Sequence, residues 1–502
     1  MSTQKVLLIY ANPVYYPAAQ PYGLSIVSAA LSARGLDSEI VLPYMAEDPI
    51  DEVRKACASG RPKIIGLSLR NLDTARFHYD DDGNDTFLDE LGELVKAVRL
   101  EGSVIVLGGS GFAIAPHQIL KQTGADIGFV GASESDFAEF CYRVLEQQMN
   151  VHEALRYLPT AITPEALIPP LPITELGLPD NLNASAIEYA MLTGGTVPLR
   201  TKTGCSMKCS YCVVPGIEKL IIRTWDDIRK ELDLILKAGL NGRVFIADGE
   251  FNLPSPQYAI ALCRRISAEF GTAIRWACYL EAGYVTSELL DAMREAGCMC
   301  ISLTVDSFSR DTRVGYIKVT KPETAMIATQ LCLDAGIHTN INLLFGGPNE
   351  SLETATNTAQ VAKEFNQKGV AASVTVGLRV YPRTPLSIMV TKDKYSRYYK
   401  PCSRFNWLGL FCSPVPAKEL ALHILPILPP SSTVFYTNTK IVEDGERSFY
   451  HQIAIGAKLL GERNPEDATK HFAKVAANAP TRLEPQLGLL KAEYDLLRRS
   501  KE

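Results

Sequence analysis

With 502 residues the chain is too long for one compact core, so two or three domains are expected. Apolar residues at 46% and charged residues at 21% give the profile of an ordinary soluble globular protein, and a net charge of -5 argues against a non-specific nucleic-acid binder. No run approaches the roughly 18 apolar residues of a membrane span, and MSTQKVLLIYANP carries no signal-like pattern, so the expected location is the cytoplasm.

The first 145 residues alternate short apolar runs with helical patterns, which predicts βαβ units on a parallel sheet. VLLIYANP, SEIVLP, KIIGLSLR, SVIVLGG and DIGFVG are the five expected strands of a doubly wound, flavodoxin-like domain. Ligands of such sheets bind beyond the carboxyl ends of the strands. Here those ends hold Asn12, then Ser68, Arg70 and Asn71, then Gly108, Gly109 and Gly111, and finally Gly131, Ser133 and Glu134. No G-x-G-x-x-G follows the first strand and no Walker lysine is present. The glycines at the fourth and fifth strands are expected to let a bulky ring system approach the backbone.

Residues 148–195 are proline-rich and weakly periodic, and read as an extended linker. A second series follows: VPLRTKTG, RVFIADGEF, IRWACYLEA, CISLTVD, HTNINLLFG and SVTVGLRVYP, separated by helical patterns. Six β/α units are two short of a closed barrel, which predicts an open one. After about residue 390 an aromatic-rich stretch from Tyr395 to Phe411 is a candidate cap for the barrel mouth, with core packing as the alternative. The helical tail that follows includes NPEDATKHFAKVAANAP, similar to one helix of a tetratricopeptide hairpin. One such unit cannot bury its own face and is expected to pack on the barrel.

Of twelve cysteines, nine are scattered and three are clustered. TKTGCSMKCSYC places Cys205, Cys209 and Cys212 at Cys-x3-Cys-x2-Cys spacing, directly after the first barrel strand. A loop this tight can aim three sulfurs at three corners of one cubane, leaving a fourth iron open for S-adenosylmethionine (SAM). The competing reading is a zinc site completed by Cys402 or Cys412.

The triad, its position and the six β/α units resemble the radical SAM superfamily over residues 196 to about 390. The resemblance implies a [4Fe-4S] cluster on the three cysteines, Tyr211 near the adenine, and Asp248, Gly249 and Glu250 in place of the glycine-glycine-glutamate element that holds the SAM amino group. Ser302, Thr304 and Asp306 on the fourth strand are candidates for the SAM ribose or carboxylate. Asn340 and Asn342 share one face of the fifth strand, and Arg379 is a candidate bidentate donor to the SAM carboxylate. For each of these an ordinary polar side chain inside a barrel is the alternative.

The whole order, with LSLRNLD, GGSGF, FNLP, LLFGGPNES and GLRVYPRTPL, resembles the cobalamin-dependent radical SAM proteins. That implies a cobalamin-binding domain over 1–147, the linker over 148–195, a partial (β/α)6 radical SAM barrel over 196–390, and a small, mainly helical C-terminal domain over 391–502. None of the seven histidines lies in an Asp-x-His-x-x-Gly motif, so no histidine is expected beneath cobalt. Arg70 is the candidate for that side of the corrin; the alternative is a surface pair with Asp73.

The resemblance implies a methyltransferase that carries methyl from SAM through methylcobalamin to a carbon of a small molecule, natural-product or lipid-like. The alternatives are a non-methylating cyclisation or rearrangement, polar transfer without a substrate radical, and a cofactor-responsive binding protein without turnover. Tyr279 and Glu281 are the catalytic candidates, as general bases if transfer is polar. The expected partners are the small-molecule substrate and an external electron donor of the flavodoxin or ferredoxin type.

Overall fold

In the computed structural model, residues 5–13, 21–73, 86–165, 177–217, 219–240, 242–429, 432–435 and 440–499 are described. The five expected strands form: β1 (Val6–Tyr10), β2 (Ser38–Val41), β3 (Ile64–Ser68), β4 (Val104–Gly108) and β5 (Ile127–Phe129). They pair in parallel in the order β2-β1-β3-β4-β5, the flavodoxin-like winding that reverses between β1 and β3. Successive side chains point to opposite faces: Leu7 and Ile9 join one apolar core, and Val6, Leu8 and Tyr10 the other. Burial on both faces is why these strands read as unbroken apolar runs.

The expected linker is more ordered than an extended strap. β6 (Ala161–Ile162) pairs antiparallel with β5, and Ala184–Thr193 is a helix capped by the Asn183 side chain. Residues 166–176, the most proline-rich part, lie outside the described residues.

The second sheet contains β7 (Val197–Leu199), then, after the hairpin β8 (Lys202–Thr203) and β9 (Ile221–Ile222), β10 (Val244–Ile246), β11 (Trp276–Glu281), β12 (Cys298–Asp306), β13 (His338–Phe345) and β14 (Ala371–Val376). Its order is β7-β10-β11-β12-β13-β14, all parallel, and the sheet stays open as expected. The outward side chains, such as Ile301, Leu303, Ile341, Leu343 and Val374, sit in one large core under the helices. The inward ones are Ser302, Thr304, Asn340, Asn342, Ser373 and Thr375, all half-buried. A closed barrel fills its interior with apolar layers; this one keeps a polar lumen.

β15 (Leu378–Val380), β16 (Tyr399–Pro401) and β17 (Gly409–Phe411) form a small antiparallel sheet, and β18 (Thr433–Phe435) extends the barrel edge beside β14. The aromatic stretch divides between two cores: Phe405 and Leu408 bury themselves in a core of the first domain, with Trp407 packed against it, while Phe411, Tyr395 and Tyr398 pack in the cluster that Tyr211 joins. The helical tail also departs from expectation. Ile453, Ala457, Phe472 and Ala492 pack with Tyr189 and Leu192 of the helix Ala184–Thr193 and with Met45 of the first domain, rather than on the barrel.

Polar contacts close the seam between the first domain and the barrel. Tyr22 Oη donates to Glu231 Oε2 at 3.1 Å, and Arg223 pairs with the same carboxylate at 2.7 Å. Asp73 accepts from Tyr381 Oη at 2.6 Å and pairs with Arg379 Nε at 3.1 Å. Among the described residues no helix is long and apolar enough to cross a membrane.

Candidate functional site

Three restraints shape the cysteine loop. The β8–β9 hairpin pins its start. Gly204 has φ +69, and a Cβ there would stand 2.3 Å from the Lys219 carbonyl oxygen, so the crossing requires glycine. Asp248, at the end of β10, accepts from the backbone N–H groups of Thr201 and Lys202 at 2.8 and 3.2 Å, from the Thr201 hydroxyl, and from Lys202 Nζ at 2.7 Å. Lys202 and Asp248 are fully buried, and Lys202 Nζ also donates to the Phe251 carbonyl at 3.1 Å.

That saturation corrects the reading of Asp248 as a SAM ligand. Its oxygens are filled by the chain itself, so it braces the loop. Lys202, which supplies the countercharge, was not singled out from the sequence, although it stands three residues before Cys205.

Cys209 is buried, and Cys205 and Cys212 are half-buried. The Cys212 N–H donates to the Cys209 carbonyl at 3.1 Å, closing a tight turn. Burial pushes the Cys209 thiol up to about 12 and raises the other two, while the Lys318 ammonium pulls all three down. Such thiols bind a metal as thiolates, releasing their protons to solvent as the metal takes their place. Among the described residues no three Cys, His, Asp or Glu side chains converge on a single metal ion. Cys412 lies in the barrel core and Cys402 packs against the first domain's core, so neither completes a zinc site with the triad. A cubane places each sulfur on a different iron, and three thiols spread along one loop suit it.

Glu250, two residues beyond Asp248, is in the opposite condition. Its Oε1 accepts from Thr304 Oγ1 at 2.7 Å, but Oε2 is buried without a partner. Desolvation raises its carboxyl to about 8. Gly249 between them lies against Cys205, its Cβ position 3.9 Å from the sulfur. A buried carboxylate oxygen without a partner, beside the cysteine loop, fits an ammonium group such as that of SAM.

Glu281 is not placed to act as a base. Its Oε2 takes Lys318 Nζ at 2.6 Å and its Oε1 takes Thr320 Oγ1 at 2.8 Å, and the Lys318 ammonium holds its carboxyl below the usual range despite burial. Lys318 also reaches Asp306 Oδ2 at 3.3 Å, and Tyr211 Oη donates to the same oxygen at 2.7 Å. Asp306 therefore ties the cysteine loop to the end of β12 instead of offering a free carboxylate. The Tyr211 ring packs edge-on against Tyr316 at 5.6 Å. Lys318, Thr320 and the buried Arg313 were missed in the sequence, and the only signal was a lysine embedded in the apolar run YIKVT. Tyr279 is the exception among the catalytic candidates: it is 37% exposed and packs edge-on against Phe245.

Within the lumen, Asn340 Nδ2 donates to Asn342 Oδ1 at 3.1 Å and Ser373 Oγ to Asn340 Oδ1 at 3.1 Å, while Asn342 Nδ2 is buried without a partner. Ser302 lines the same half-buried face. Arg379 engages Asp73 across the seam, which corrects both its reading as a SAM-carboxylate donor and the alternative pairing of Asp73 with Arg70.

In the first domain the strand ends meet where expected, but several residues serve the backbone. Asn12 accepts from the N–H groups of Arg70 and Asn71 and donates to the Asn71 carbonyl at 2.8 Å. A Cβ on Gly109 (φ +99) would stand 2.4 Å from the Leu69 carbonyl oxygen, and one on Gly111 2.7 Å from the Asn71 carbonyl carbon. These two glycines let the β4 loop lie on the β3 loop, where the sequence reading had them admit a ring. Gly108 ends β4 beside Ser68, and Gly131 turns the chain after β5 at φ +78. Ser133 precedes the helix Glu134–Leu145 without capping it through its side chain, and Glu134 accepts from the Gly177 N–H at 2.6 Å, anchoring the linker. Arg70 is exposed, and its guanidinium opposes the rise that burial gives the Tyr10 hydroxyl.

Two family models match the two α/β units. Residues 13–141 match the B12 binding domain and residues 186–362 the Radical SAM superfamily. The chain thus carries a B12-binding domain followed by a radical SAM domain. Its sequence is 24% identical to the tryptophan 2-C-methyltransferase of Streptomyces laurentii, over 75% of this chain and 73% of that protein. Its fold is similar to that of TsrM, a radical S-adenosylmethionine methyltransferase from Kitasatospora setae solved with cobalamin and a [4Fe-4S] cluster. That likeness has a TM-score of 0.74 and 19% identity, covering 93% of this chain and 100% of the other. It is also similar to the cobalamin-dependent S-adenosylmethionine radical enzyme OxsB, with a TM-score of 0.61 and 16% identity over 98% and 84% of the two chains.

Proposed function

We propose that the chain is a cobalamin-dependent radical SAM methyltransferase that moves methyl from SAM, by way of cobalamin, to a carbon of a small-molecule substrate. The observation that carries this reading is the unpartnered oxygen of Glu250 beside the cysteine loop, its other oxygen held by Thr304 of the polar lumen. The similarity to a tryptophan C-methyltransferase supports methyl transfer to carbon over rearrangement.

In this reading Cys205, Cys209 and Cys212 hold the [4Fe-4S] cluster, and Glu250 receives the SAM ammonium as a charge-assisted acceptor. Ser302 and Asn342 offer hydrogen bonds to the ribose or carboxylate, Asn342 through its unpartnered Nδ2. Tyr211, fixed by Asp306, presents a ring edge near the cluster for the adenine. The Gly109 and Gly111 turns and Arg70 would border the corrin, and Arg70, which stays protonated, would exclude water there and could not serve as a ligand. When bound, the cofactors supply reductive cleavage of SAM and a transferable methyl group, chemistry that no side chain provides. Tyr279, 37% exposed near the end of β11, would be free to orient substrate. The reducing electron comes from an external flavodoxin- or ferredoxin-type donor.

The test is anaerobic turnover of candidate substrates, indolic amino acids first, with SAM bearing a deuterated methyl group. Label in product with S-adenosylhomocysteine is expected. Equal 5′-deoxyadenosine marks a substrate radical, its absence marks polar transfer, and deoxyadenosine with unlabelled product would sink the methyltransferase reading.

A further inference from the structure

Ser210, between the second and third cysteines, is gripped from two sides. Its N–H donates to the Tyr316 carbonyl at 2.9 Å, and its carbonyl accepts from the Leu386 N–H at 2.7 Å. The two gripping segments share a buried cluster made by Tyr316, Leu386, Val390 and Phe411. Their outer face breaks the usual pattern. Val314 is 62% exposed, Ile317 44%, Val319 79% and Ile388 65%. Ile317 holds φ +58, an uncommon conformation for a β-branched residue, in the turn that sends Lys318 inward and leaves both its neighbours outside.

Exposed cations frame these apolar residues: Lys208 in the cysteine loop itself, Arg310 and Lys321 on one segment, and Lys392, Lys394 and Arg397 on the other. Lys394 and Arg397 bond only neutral partners, the Asn349 amide oxygen at 2.9 Å and the Tyr398 hydroxyl at 2.7 Å. Asp311, Glu323 and Asp393 are the acidic residues among them. On a chain of net charge -5 this is a local reversal of sign.

We infer that this face docks an acidic, low-potential one-electron donor protein, flavodoxin or ferredoxin in type. The inference rests on the redox-active cluster of the proposed function. One electron leaves the donor, which is oxidised, and enters the cluster, which is reduced; no proton or group moves. An apolar centre with a charged rim, directly over the loop that holds the cluster ligands, suits a small transient redox encounter, whose interfaces fall below about 1,200 Å² in total. Opposite charge on the donor steers its approach. A second copy of this chain would present the same positive face and be repelled.

The test uses the full reconstituted protein and the variants I388E, K392E/R397E and the triple combination. Stopped-flow absorbance follows cluster reduction by photoreduced flavodoxin, and fluorescence anisotropy follows binding of oxidised, labelled flavodoxin. K392E/R397E is expected to slow association about tenfold at low salt, with the gap closing at high salt. I388E is expected to weaken binding about tenfold. Iron content and reduction by dithionite should stay at the parent level in all three. Unchanged flavodoxin affinity and reduction rate in the triple variant would overturn the inference. So would a loss confined to binding of phosphatidylserine vesicles, which would make the face a membrane contact. A protein without a reducible cluster would sink the functional reading instead, and the anisotropy arm would still decide the surface.

Discussion

Asp248 and Glu250 lie two residues apart at the end of one barrel strand, both buried, yet they live in opposite electrostatic conditions. Asp248 has four donors from its own chain and a buried ammonium as countercharge. Glu250 has one hydroxyl and a bare oxygen. The first is finished by folding and spends its charge on the shape of the cysteine loop. The second is left incomplete by folding, and that deficit is available to a ligand. Both are buried carboxylates, so satisfaction is what separates a brace from a binding group.

The sharpest way to break that comparison is to unbrace the loop. Asp248→Ala strands Lys202 as an uncompensated buried charge and should cost about 3–5 kcal/mol, read by urea unfolding of the full chain. Iron bound after reconstitution should fall with it, and a loss under 1 kcal/mol would deny Asp248 its structural role. Glu250→Gln should do the reverse. Removing a charge that the fold satisfies poorly should leave stability within about 1 kcal/mol of the parent, while SAM binding by calorimetry should weaken by about 1.5–3 kcal/mol, a charged hydrogen bond.

Glu350 sharpens the same contrast away from the cysteines. It is buried, accepts from the Gly346 N–H through Oε2, and leaves Oε1 without a partner; burial raises its carboxyl to about 8. A raised carboxyl favours the protonated native state, so its contribution is most favourable below the unfolded value and is lost as pH rises toward about 8. Glu350→Gln should flatten that part of the stability-versus-pH curve, measured by thermal unfolding across the range, and an unchanged slope would contradict it. The smallest effect belongs to Arg404 and Asp89, an ion pair at 2.6 Å between the aromatic stretch and the first domain, with side chains 36% and 60% exposed. Arg404→Ala should cost no more than about 1 kcal/mol, since water and salt already screen the pair.

Local pattern carried most of the architecture. The apolar runs of both sheets, the open barrel, the triad and the absence of a cobalt-binding histidine motif were all legible, because strand burial and metal-ligand spacing are short-range properties of a sequence. Side-chain roles were less so. Asp248, Asp306 and Arg379 are the right residue types at the right strand ends for cofactor binding, and Glu281 for a general base, yet each is engaged instead by Lys202, Tyr211, Asp73 or Lys318. Those partners lie between 37 and 306 residues away along the chain. A carboxylate's type and position follow from the sequence alone. Whether it is already paired depends on which distant cation or hydroxyl the fold brings within about 3 Å, the reach of a hydrogen bond, and only the tertiary structure decides that.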